Sequence, residues 1–261
     1  MVDIHTHILP QLDDGASSLE ESLEMCAAQE ESGVEAVVAT PHFYDGSEAD
    51  AFLERREERL SLVAASLAAR GAGLRVLGGA EVALRPVLHA HAKQLRRLTL
   101  GGTRYLLAEF PFAPIPMEDL FDYVELIFDQ DLVPVIAHPE RFSYFQDNYD
   151  LLNLLLEKGA VFQVTAQSLV GTFGPKAMQL SWAMLQADAI DCLASDAHEA
   201  YGRRGADLLT IRELLASQGV PEDQLARMLE ETPGEIVADR ELSDREIGFI
   251  LPPKRFGRQR F

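Results

Sequence analysis

Cysteine is almost absent: two residues in a chain of 261, so no disulfide framework can hold it together. Neither thiol fits nucleophilic phosphate chemistry. A cysteine phosphatase needs an arginine six residues after its nucleophile, and those places hold Ser32 after Cys26 and His198 after Cys192. Cys26 falls in a helical pattern and Cys192 in an apolar strand pattern, so both read as buried thiols. Positive charge is scarce, with 23 Lys+Arg against 42 Asp+Glu and a net charge of -19. Such a surface repels nucleic-acid phosphates and anionic membranes, and no nucleic-acid partner is expected. No apolar run approaches the ~20 residues that cross a bilayer. The opening Met1–His5 lacks the basic and apolar regions of a signal peptide, so a soluble cytoplasmic protein is expected. A Gly-x-Ser-x-Gly elbow and a Walker loop are missing too.

Apolar residues make up 47% of the chain and charged residues 25%, which allows an ample core. Short β-branched runs alternate with longer helical patterns, the mark of a βα protein. Strands are predicted at 2–7, 35–40, 74–81, 105–110, 133–138, 160–165 and 189–195. Helices are predicted at 19–32, 49–70, 87–98, 118–129, 150–158, 175–187, 206–217 and 222–230. Ser17 or Ser18, with Glu20 or Glu21, forms a capping box for the first helix. Strand count and alternation favour a barrel over an open sheet. Residues 1–250 are expected to form one barrel domain. The segment 251–261, with Lys254, Arg255, Arg258 and Arg260 after Pro252-Pro253, is expected to be a mobile basic tail.

Reactive residues gather where the strands end, the face on which βα barrels carry their chemistry. The strand ends read His5-Thr6-His7, Thr40-Pro41-His42, Glu81, Glu109, His138 and Asp196-Ala197-His198. His5 and His7 are two apart on a strand and share one face. Asp14, in the Asp13-Asp14-Gly15 loop, adds a carboxylate near the same mouth. His89 and His91 have the same spacing, but on a helical pattern it makes them diverge by ~200°. His5, His7, Asp14, His42, Glu81, Glu109, His138, Asp196 and His198 exceed what one zinc needs and include no thiolate. They suit two or three clustered divalent ions of the Mn, Fe or Zn kind. Clustered metals acidify water and clamp the oxygens of an in-line displacement, so phosphoester hydrolysis is the expected chemistry. Arg141 is placed to fork a phosphate, with Arg203 and Arg204 as further candidates.

These segments, with His138-Pro139-Glu140-Arg141 and Ser195-Asp196-Ala197-His198, resemble the polymerase-and-histidinol-phosphatase (PHP) superfamily. Within it, Gln163–Leu169 and Gly171-Thr172-Phe173-Gly174 resemble the bacterial capsule and exopolysaccharide protein-tyrosine phosphatases. The resemblance runs from Met1 to about Val237. It implies a distorted (β/α)7 barrel of the PHP type with three metal ions, usually manganese. His5, His7, Glu81 and Asp196 would hold one ion, Glu81, Glu109 and His138 a second, and Asp14, His42 and His198 a third. Arg141 would bind phosphate, and the partner would be the tyrosine-rich tail of a bacterial autokinase. Phe43 stands where many relatives have a second histidine; with Tyr44 it is expected to line an aromatic slot for phosphotyrosine. The alternatives are a PHP phosphatase for a metabolite such as histidinol phosphate, a PHP nuclease, and a metal-dead binding module.

Overall fold

A computed structural model describes residues 1–252 of the chain. The basic tail expected at 251–261 falls outside the described residues from 253 onward. Strands β1 Val2–Thr6, β2 Ala36–Ala39, β3 His42–Phe43, β4 Arg75–Gly78, β5 Glu81–Ala83, β6 Tyr105–Glu109, β7 Val133–Ala137, β8 Val161–Thr165 and β9 Cys192–Ala194 all pair in parallel. They form two sheets, ordered β1-β2-β4 and β3-β5-β6-β7-β8-β9. Two pairs run on from one sheet to the other, β2 into β3 and β4 into β5. Backbone bonds also tie the first strand to the last: Asp196 N–H donates to the His5 carbonyl and His7 N–H to the Ala197 carbonyl, both at 2.9 Å. Thr6 and Ala197 make a parallel bridge there. The chain therefore has the α/β, parallel-sheet architecture expected of a distorted (β/α)7 barrel.

Helices α1 Leu19–Glu31, α2 Ala49–Arg70, α3 Met117–Phe128, α4 Ser143–Asp147, α5 Asp150–Glu157, α6 Pro175–Gln186, α7 Leu208–Ser217, α8 Glu222–Ala226 and α9 Thr232–Val237 connect or follow the strands. The Ser18 hydroxyl caps α1 by accepting from Glu21 N–H, while Ser17 donates to the Glu21 carboxylate. Of the residues proposed for the capping box, Ser18 and Glu21 are the pair used.

Three expectations need correction. The predicted strand 74–81 is divided into β4 and β5. At the break, Gly79 N–H bonds to the Ala39 carbonyl, and a Cβ there would lie 2.9 Å from Val38 Cγ1. Only glycine allows that approach, and it turns the strand toward the mouth. The predicted helix 87–98 is a 3-10 stretch, Pro86–Arg97, broken by non-helical angles at His91. The predicted helix 222–230 continues beyond Glu230 as α9, through a π turn at Arg227–Glu231. Pro233 lacks an N–H, and the first turn of α9 is where that costs least.

Strand alternation decides what reaches the site. Tyr105 and Leu107 of β6 join Ile4, Val38, Val135, Ala137, Cys192 and Ala194 in one buried cluster, while Leu106 and Ala108 face a larger one shared with the helices. Glu109 continues the Tyr105–Leu107 face at the C-terminal end of β6. At the N-terminal end, Tyr105 Oη donates to the Arg240 carbonyl and Arg104 N–H to Asp239, so the segment after α9 covers that side.

Asp3 is the clamp of the β1–β9 join. Fully buried, it accepts from His5 N–H, from Ser195 N–H and from Gln29 Nε2 of α1. Asp3→Ala would leave those buried donors unpaired, at a cost of about 2–4 kcal/mol. A urea-unfolding midpoint unchanged in this variant would contradict the clamp.

Candidate metal centre

The candidate ligands come from separate strand ends and meet in one place. His5 Nε2 and His7 Nε2 lie 3.2 Å apart. Each is 3.4 Å from Glu81 Oε2 and 3.5 Å from Asp196 Oδ1. His138 Nε2 is 2.8 Å from Glu81 Oε1 and 3.6 Å from Glu109 Oε1. Asp14 Oδ1 is 3.3 Å from His42 Nε2 and 3.2 Å from His198 Nε2. All nine predicted ligands thus take part in one cluster. In two respects the grouping differs from the family pattern: a ligand atom of His7 lies within 4.8 Å of those of Asp14, His42 and His198, and one of His42 within 4.8 Å of those of Glu81 and Glu109.

The outer ring nitrogens fix the tautomers. His5 Nδ1 donates to Gln163 Oε1 at 2.8 Å, His7 Nδ1 to Asp13 Oδ2 at 2.7 Å, and His198 Nδ1 to the Asp196 carbonyl at 3.0 Å. With a proton held on Nδ1, each ring turns its Nε2 inward, the second-shell arrangement of metal-binding histidines. Burial opposes protonation of these rings, but Glu81 and Asp196 raise His5, and Asp13, Asp196 and Glu81 raise His7 well above its ordinary value, so it is a bound cation that would keep the two rings neutral. Two inward lone pairs 3.2 Å apart repel unless a proton or a cation lies between them. Donor atoms around one divalent ion with bonds near 2.1 Å are spaced by about 3 to 3.4 Å, and the His5–His7–Glu81 set shows separations of 3.2 and 3.4 Å, with Asp196 Oδ1 slightly farther from each histidine at 3.5 Å. Glu81 Oε2 and His42 Nδ1, both buried, lie 2.8 Å from one another and have no hydrogen-bond partner outside that contact. This donor set fits divalent metal ions.

Charge and strain point the same way. Burial opposes ionisation of Glu81 and Asp196, yet His5 and the other imidazoles hold both carboxyls well below the ordinary range. Burial, with the Glu81 charge adding to it, pushes Glu109 up to about 7. Burial, then Arg141, lowers His138 to about 4; burial, then His7, lowers His198 to about 4. His138 (φ 33°) and Asp196 (φ 50°) hold left-handed backbone, a strain that non-glycine residues carry chiefly at functional sites.

A cavity of about 510 Å³ opens over the cluster, lined by Asp14, His42, Glu81, Glu109, His138 and Asp196 with Tyr44, Phe112, Arg85, Arg141 and Arg204 among others. Arg141 Nη1 donates to Asp196 Oδ2 at 2.6 Å, and its guanidinium carbon lies over the Phe173 ring at 4.5 Å and the Phe112 ring at 5.6 Å. Arg204 Nη2 donates to His198 Nε2 at 2.8 Å. Arg203 is a correction: it is exposed, donates to the Thr172 carbonyl and is not among the lining residues. Phe43 does not line this cavity: it is 2% exposed, packs edge-on against Phe52 and borders the neighbouring cavity beside Tyr44, so the aromatic lining here comes from Tyr44, Phe110 and Phe112. Arg85 and Phe112 carry no motif and were not foreseen. Cys26 and Cys192 are buried, and burial pushes the Cys26 thiol up to about 12 and Cys192 well above its ordinary value. His89 is exposed and lies beside Tyr123, away from the cluster.

The model of the capsular polysaccharide synthesis family CpsB/CapC matches residues 1–238. The chain belongs to this family. It is similar to the tyrosine-protein phosphatase YwqE of Bacillus subtilis (strain 168), 37% identical over 207 residues, which are 78% of this chain and 79% of the relative. It is also similar to the tyrosine-protein phosphatase CpsB of Streptococcus pneumoniae, 29% identical over 214 residues, 78% of this chain and 85% of the relative. A crystal structure from work on YwqE and CpsB, described as metal-dependent tyrosine phosphatases, matches with a TM-score of 0.83 and 31% identity. It covers 96% of this chain and 100% of that one. A lactonase from Listeria monocytogenes, 10% identical with a TM-score of 0.58, shares the fold alone.

Two tests follow from the family's site as this chain builds it. The His7 bond holds Asp13 down to about 2 against the opposing effect of burial, and Asp13 also accepts from His42 N–H. Asp13→Asn should weaken divalent-ion binding by about 10–100-fold in calorimetric titration; unchanged affinity would count against the second-shell role. Glu140 is buried, accepts from Ser168 Oγ and Thr165 N–H, and burial pushes its pKa from 4.5 up to about 7. Its contribution to stability is fully present below 4.5 and is lost as pH rises through about 7. Glu140→Gln removes that loss, so the stability of the variant relative to the native chain should rise between pH 4.5 and about 7 and level off above. A difference flat with pH would refute it.

Proposed function

We propose that this chain is a metal-dependent protein-tyrosine phosphatase, with residues 1–250 acting as one catalytic unit. The observation that carries the reading is the pair of inward Nε2 lone pairs of His5 and His7, closed by Glu81 and Asp196, in a CpsB/CapC chain. The proposed complement is three divalent ions, manganese first and Fe or Zn as substitutes. His5, His7, Glu81 and Asp196 would hold one, Glu81, Glu109 and His138 a second, and Asp14, His42 and His198 a third. Such ions, when bound, supply an acidified water and Lewis-acid polarisation of the phosphoryl oxygens.

The chain's own residues do the rest. Arg141, held against the Phe173 and Phe112 rings, offers a fork to the phosphate oxygens, and Arg204 enters from the His198 side. Both now rest on carboxylates of the cluster and exchange those partners for the substrate anion. Tyr44 and Phe112 present ring faces to an aryl leaving group. A phenol has a pKa near 10 and leaves with less proton donation than an alkyl alcohol, which suits a cavity without a second histidine at position 43. The proposed substrate is the tyrosine-rich tail of a bacterial autokinase that governs polysaccharide export, met in the cytoplasm. No helix among the described residues is long and apolar enough to cross a membrane.

Chelation should abolish hydrolysis of phosphotyrosine peptides and added Mn²⁺ should restore it, while thiol alkylation leaves it intact. Arg141→Ala should lower kcat/KM by at least about 100-fold, largely through KM. Activity that survives chelation and tracks thiol reagents would defeat the proposal. A higher kcat/KM on histidinol phosphate than on the peptide would move it to the metabolite class.

A further inference from the structure

Three arginines line the cavity, and two of them already face carboxylates. Arg141 bonds to Asp196, and Arg204 lies 3.4 Å from Asp196 and 3.5 Å from Asp14. Arg85 has no carboxylate at ion-pair distance among the described residues. It is exposed, and its guanidinium carbon lies over the Tyr44 ring, 4.8 Å from the centroid. Tyr44 itself stacks on His42, with centroids 5.4 Å apart and planes 26° from parallel. The stack His42–Tyr44–Arg85 therefore fixes one uncompensated cation at the cavity rim, up to roughly 10 Å from the His42 ring.

That distance is too long for a phosphate seated on the ligand cluster and right for what lies beside it. In a phosphotyrosine, phosphorus and Cα are separated by roughly 8 Å, so the substrate backbone and the side chains next to it pass at the height of Arg85. Across Tyr44 the neighbouring cavity is lined by Asp13, Asp14, Asp45 and Glu48 against the single cation Arg55, so its balance of charge repels an anion on that side. With a net charge of -19 the rest of the surface does the same. We propose that Arg85 is a specificity-determining residue that pairs with an acidic side chain flanking the phosphotyrosine of a protein substrate. This rests on the phosphatase reading above.

The test uses the Mn²⁺-loaded full chain and two phosphotyrosine peptides of equal length. One carries Asp and Glu on both sides of the phosphotyrosine, the other Asn and Gln at those places. At low salt the native chain should favour the acidic peptide by about fivefold in kcat/KM, mainly through KM. Arg85→Ala should bring the ratio of the two to one or below, Arg85→Lys should keep part of it, and high salt should erode it. A native ratio near one, a ratio that survives Arg85→Ala, or an equal loss on both peptides would overturn the inference and leave the phosphatase reading standing. If the native chain hydrolyses neither peptide, the phosphatase reading fails and takes the inference with it.

Discussion

Two buried imidazole nitrogens, each with its lone pair turned inward, sit 3.2 Å apart in this fold. Most of the surrounding structure serves to keep them there. Gln163 and Asp13 hold the protons on the far sides of the two rings. Asp3 locks the strand that carries His5 to the segment that carries Asp196. His138 and Asp196 accept left-handed backbone to aim their side chains at the same point. Buried carboxylates, inward-facing ring nitrogens and left-handed backbone cost free energy that a bound cation would offset.

The electrostatics form a second layer. The surface is strongly acidic, yet an anionic ester has to reach a cluster rich in carboxylates. Burial and the imidazoles neutralise part of that cluster, and Arg141 and Arg204 cover Asp196 from the cavity side. The positive groups are few and local, so selectivity is concentrated in a handful of side chains at the mouth. The two thiols are buried away from this chemistry.

The strand ends were legible in the sequence because a βα chain repeats one unit. Once the alternation is seen, polar residues at the end of each apolar run have few other reasons to be there. His5, His7, His42, Glu81, Glu109, His138, Asp196 and His198 all followed from that logic, and Asp14 from its loop. Contacts fixed only in three dimensions were not legible. Phe43 and Tyr44 are neighbours in sequence, but alternation sends one into the core against Phe52 and leaves the other at the cavity. Arg203 and Arg204 are likewise adjacent, and only one reaches the cavity. Gly79 looked like an ordinary strand residue until the closeness of Val38 explained the break between β4 and β5. Arg85 belongs to no motif and gains meaning only through its stacking on Tyr44.

The central claim is that these side chains converge on cations rather than on a private network of protons. Crystals grown with Mn²⁺ and measured at the manganese absorption edge test it most directly. Anomalous peaks should appear between His5, His7, Glu81 and Asp196, and beside Asp14, His42 and His198, with ring nitrogens and carboxylate oxygens at bonding distance. The same side chains in the same positions with no anomalous density among them would contradict it.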